Sequence, residues 1–175
     1  MATPKKLDLD DWNKIVEPYH SESDRGAAIL AGSFAEHALG QYLNSRIRDK
    51  KIAELLFTPL GPLSSFSQRI TIAYAFDLIS EGQYNDFDLI RRIRNHFAHY
   101  PLDTTFSTNE IQQLACKLSG FNMITDEEYP KAGARHRIGY LLTCGILSGT
   151  LLHTLSIQSF KGKANKTGMT GIDTK

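Results

Sequence analysis

The stretch Asn85-Asp86-Phe87-Asp88-Leu89-Ile90-Arg91-Arg92-Ile93-Arg94-Asn95-His96-Phe97-Ala98-His99, followed by Tyr100-Pro101, decides how this chain folds. At about 100° per residue, Phe87, Ile90, Ile93 and Phe97 share one side of a helix. Asp88, Arg92, Asn95, His96 and His99 share the other. Pro101 disfavours helical backbone at Tyr100 and so ends the element. Arg94 falls inside the apolar stripe. A buried cation must be paired, so its place there implies an internal carboxylate, a subunit interface or a ligand phosphate. The internal candidates are Asp77 and Glu36. Arg94 and His99 lie about 140° apart on one straight helix, so a site using both needs a distorted last turn or two copies of the helix.

Working outward, the flanking segments are also helical and no strand alternation appears. Asp10 caps a short helix through Tyr19. Ser23 or Asp24 caps a long helix to about Arg48, rich in small residues, with Glu36 expected on its surface and His37 satisfied locally. Lys50 to Phe57 is a short element closed by the turn Thr58-Pro59-Leu60-Gly61-Pro62. Ser65 and Gln68 form a capping box for a helix to about Ser80, and Glu81-Gly82-Gln83 reads as a turn. Ser107 to Glu110 reads as a second box, whose helix stops near Gly120. The last helix runs from Arg135 to about Phe160. Residues 1–8 form a loose arm, 9–160 one helical domain and 161–175 a Lys-, Gly- and Thr-rich disordered tail. The expected fold is an all-α bundle of about five to seven helices.

The chain has 175 residues and a net charge of +1, so no global field draws nucleic acid and any such contact must be local. Cys116 and Cys144 are far apart and read as buried thiols, without disulfide or zinc. No metal-ligand cluster, cofactor motif or helix-turn-helix is evident. Ile138 to Ile157 is apolar, but serines, threonines and glycines dilute it, so it reads as a buried helix and not a membrane span. The polar N-terminal stretch points to a cytoplasmic protein. The basic run Arg46, Arg48, Lys50 and Lys51 reads as a solvated helix end.

The ordered elements Pro62 to Ile70, Ala73-Tyr74, Asp77 to Ser80, Tyr84, Asp86, Ile90 to His99, Phe106, Ile111 and Leu114 resemble the MltR-like (mannitol operon repressor) family over roughly residues 24–155. The Arg-Asn-x-x-x-His element resembles the wider HEPN superfamily of helical bundles. That resemblance implies a symmetric homodimer and a metal-independent endoribonuclease of a toxin–antitoxin or phage-defence system. Arg94, His99 and Asn95 would form a composite catalytic site, and Arg91, Arg92 and His96 would guide RNA. His99 would move the proton and Arg94 would stabilise the phosphate charge. An antitoxin or other protein partner is implied too. Tyr100 directly follows His99, and Pro101 takes the place where some members carry a modified tyrosine. The resemblance to MltR implies a second reading, a non-catalytic regulator acting through protein or DNA. A third is an inactive scaffold or phosphate-ligand sensor.

Overall fold

The structure is a computed structural model that describes residues 21–100 and 104–167, with side chains through Ile157. Among the described residues there are six α-helices, one 3-10 helix and no strand. They are α1 (Asp24–Arg46), α2 (Lys50–Leu56), α3 (Phe66–Ala75), α4 (Glu81–His99), α5 (Asn109–Ala115), the 3-10 helix (Ser119–Met123) and α6 (Ala134–Thr167). The all-α expectation holds. The expected helix between Asp10 and Tyr19 lies outside the described residues, as do positions 1–20.

α1, α4 and α6 enclose the core. α1 packs along α6 and α4, α3 closes one side against α4, and the 3-10 helix lies on α6. Small residues make the α1 seam: Ala28, Ala31, Ala35 and Ala38 are almost wholly buried. Gly32 is a position of close approach, because a Cβ there would lie 2.6 Å from the Tyr140 hydroxyl and 3.0 Å from Arg94 Cβ. Phe87, Ile90, Ile93 and Phe97 of α4 are fully buried, as the stripe requires. Phe97, Phe106 and Tyr140 stack in series, at 5.0 and 5.6 Å between centroids.

α6 is long and apolar enough to cross a membrane by length and composition. In this fold it is a core helix, with Tyr140, Thr143, Cys144, Leu147, Ser148, Leu151 and Leu152 buried. Its backbone continues to Thr167, beyond the expected end near Phe160, into part of the expected tail.

Several boundaries differ from the sequence expectation. α4 begins four residues early, at Glu81, because Ser80 and Gln83 form a capping box. The Ser80 amide donates to Gln83 Oε1 (2.9 Å) and the Gln83 amide to Ser80 Oγ (3.3 Å). α3 stops at Ala75 because Asp77 adopts the left-handed region, φ 54°, which ends a helix. The Ser65–Gln68 box is present, but the one expected at Ser107 is not: Thr108 occupies the N-cap without a side-chain cap bond. Its hydroxyl instead accepts from the Thr105 amide at 3.0 Å. Gly120 does not end α5, which stops at Ala115. It lies in the 3-10 helix pressed on α6, where a Cβ would meet Thr143 Oγ1 at 2.7 Å. Cys144 is buried as expected, whereas Cys116 is exposed at the end of α5.

Candidate functional site

The last two turns of α4 and the facing side of α5 enclose an open cleft of about 530 Å³. From α4 and its end come Arg91, Arg92, Asn95, His96, His99 and Tyr100. From α5 and its end come Glu110, Gln113, Leu114 and Lys117. Five of the residues singled out in the sequence therefore meet here: Asn95, His99, Arg91, Arg92 and His96. Their spacing at three, four and seven residues puts them on one helix face.

Each is held differently. Arg91 is half-buried and pairs with Asp88 one turn earlier, at 2.6 Å. Arg92 and His99 are exposed. The His96 ring stacks on Tyr100, centroids 4.7 Å apart. Arg25 of α1 donates to the Ala98 carbonyl at 3.4 Å, satisfying one of the orphan carbonyls at the helix end.

Arg94, the sixth residue, is not among those lining the cleft. It points towards α1, where its Nη1 donates to Glu36 Oε2 at 2.5 Å, and its guanidinium lies 5.4 Å from the Phe66 ring centroid. The internal-carboxylate reading is therefore the one observed, with Glu36 and not Asp77. Glu36, expected on the surface, is correspondingly half-buried, its side chain 19% exposed. Its other oxygen accepts from Arg69 Nη1 at 3.3 Å. Arg69 also donates through Nε to the Leu63 carbonyl (2.8 Å) and through Nη2 to the Ser64 carbonyl (3.4 Å). Burial lowers the Arg69 pKa below its ordinary value, Glu36 opposes that, and Arg94 adds to it. One carboxylate thus joins α1, α3 and α4. The helix is continuous through this region, so within one chain Arg94 and His99 remain on different sides of α4.

Other polar ties went unread in the sequence. Asp86, buried in α4, accepts from the Ser119 amide (3.0 Å) and hydroxyl (2.6 Å) and so caps the 3-10 helix. Asp24 accepts from the Phe106 amide (2.9 Å) and from Arg137 Nη1 (2.7 Å). Asp86 was read only within the family resemblance, and Asp24 only as a helix cap. Among the described residues no group of three or more His, Cys, Asp or Glu is placed to hold a metal.

No family model and no curated protein matches the chain. Solved chains that share its fold include two bacterial ones. A chain of the MtlR–HPr complex from Escherichia coli superposes with a TM-score of 0.66 at 18% identity, covering 82% of this chain and 99% of that one. A possible transcriptional regulator, YggD, from Shigella flexneri 2a strain 2457T gives 0.61 at 15% identity, covering 80% and 95%. At such identities the likeness is one of fold.

Proposed function

We propose that this chain is a cytoplasmic regulator of the MltR-like kind, working by binding a protein and not by catalysis. The observation that supports it is the fold likeness along nearly the whole length of a chain from a complex with HPr. The second neighbour, a possible transcriptional regulator, points the same way. The Arg94–Glu36 pair also favours it, because the residue assigned to phosphate chemistry already has a structural partner inside the chain. Calorimetric titration with HPr tests the reading. Saturable binding supports it, and no heat above dilution at micromolar protein overturns HPr as the partner. A DNA route for repression predicts a mobility shift with operator DNA instead.

The ribonuclease reading keeps one observation in its favour: Asn95 and His99 face the same cleft as Arg91 and Arg92. It requires a homodimer that brings the Arg94 of one protomer to the His99 of the other. RNA cleavage by the wild type that disappears in His99→Ala, with sedimentation unchanged, would establish it over the regulator.

A further inference from the structure

The cleft has an uneven charge. Arg91, Arg92 and Lys117 bring three permanent cations, and His96 and His99 add ring donors. Among its described lining residues the carboxylate is Glu110. Asp88 is engaged with Arg91, while Arg92 and Lys117 are exposed and make no ion pair among the described residues. The end of α4 presents carbonyls, which would repel an anion. Arg25, which does not line the cleft, satisfies one of these carbonyls, that of Ala98. The chain as a whole carries only +1, so this concentration of positive charge is local.

We propose that the cleft seats a short acidic segment of a partner protein, an inference that rests on the reading of the chain as a protein-binding regulator. Arg92 of α4 and Lys117, just past the end of α5, would take carboxylates. Asn95 and Gln113 carry amides able to pair with peptide backbone, and Leu114 with Tyr100 supplies apolar footing. An open cleft walled largely by charged and amide side chains suits a peptide better than a drug-sized molecule, which prefers an enclosed apolar pocket. RNA is less well served, because strand binding needs cations spaced along several phosphates and here they are confined to one cleft.

The test uses fluorescein-labelled hexaglutamate and hexauridylate in anisotropy titrations of the full chain, alongside HPr. The wild type should bind hexaglutamate saturably, more weakly as salt rises. The double variant Arg92→Glu/Lys117→Glu should lose about five-fold or more, as reversal of contact charges does. Its melting temperature should be unchanged, since both side chains are exposed. Absent hexaglutamate binding, or binding indifferent to the double variant, overturns the proposal. So does tighter, variant-sensitive binding of hexauridylate, which would assign the cleft to RNA. HPr bound equally by wild type and double variant overturns the cleft as the partner's seat while leaving the regulator reading intact. Hexaglutamate bound as expected while HPr is not bound at all removes HPr as partner and supports the cleft.

Discussion

At the scale of single residues, Glu36 carries the largest consequence. Removing it leaves two half-buried guanidinium groups facing each other without a counter-charge. Glu36→Ala is expected to cost about 2 kcal/mol in urea unfolding, below the 3–5 kcal/mol typical of fully buried pairs because all three side chains keep some solvent contact. Arg94→Met should cost less, about 1 kcal/mol, because Glu36 keeps Arg69. Equal losses in the two variants would contradict the shared carboxylate. The cysteines divide sharply as well. Burial pushes the Cys144 thiol far above the ordinary range, whereas Cys116 is exposed. A thiol-specific reagent at neutral pH should therefore modify Cys116 first, with Cys144 reacting only on unfolding. Peptide mapping by mass spectrometry reads this directly.

At the scale of elements, the ends of the helices decide more than their interiors. Ser80→Ala removes one half of the box that starts α4 and should cost about 1 kcal/mol, read as a lower melting temperature. The first turn of α6 has its own titration. Arg135 lies over Phe121, 3.9 Å to the centroid, and reaches Asp126 at 2.9 Å, while the His136 ring stacks on Phe121 at 5.0 Å. Burial, and next the charge of Arg135, lower the His136 pKa, with Asp126 opposing. The folded state therefore disfavours the imidazolium, and the unfolded chain takes up a proton first. This contribution is complete above about pH 6.5 and is lost as pH falls below it. Melting temperature should drop between pH 7 and pH 5, and His136→Leu should flatten that drop. The capping serines also show what could be read from sequence. The Ser65 box was legible because a proline-rich turn precedes it. The equivalent Ser80-x-x-Gln83 pattern was obscured by Gly82, which made the segment look like a turn. At Ser107 the pattern was present, but Thr108 takes the N-cap and its hydroxyl accepts from a loop amide instead.

At the scale of the whole molecule, the all-α bundle and the α4 stripe were legible because helical periodicity is a local property. The cleft's α4 wall followed from the same periodicity. Its α5 wall did not, since Lys117 and Gln113 face α4 only through the tertiary path of the chain. The long-range ties were illegible for the same reason. Asp24 joins the start of α1 to the Phe106 amide and to Arg137 of α6, which itself donates to the Glu22 carbonyl at 2.6 Å. Asp24→Ala should cost about 1–2 kcal/mol, moderated by partial exposure, and should speed hydrogen exchange in both α1 and the segment before α5. Exchange quickening at α1 alone would contradict the tie. The divided carboxylate of Glu36 has one more consequence, for how function in this chain is dissected. Because Arg69 remains to neutralise it, Arg94 is separable from the architecture. Any activity that vanishes in a folded Arg94→Met protein would then belong to the guanidinium's chemistry and not to scaffolding, whereas the same loss in Glu36→Ala would discriminate nothing.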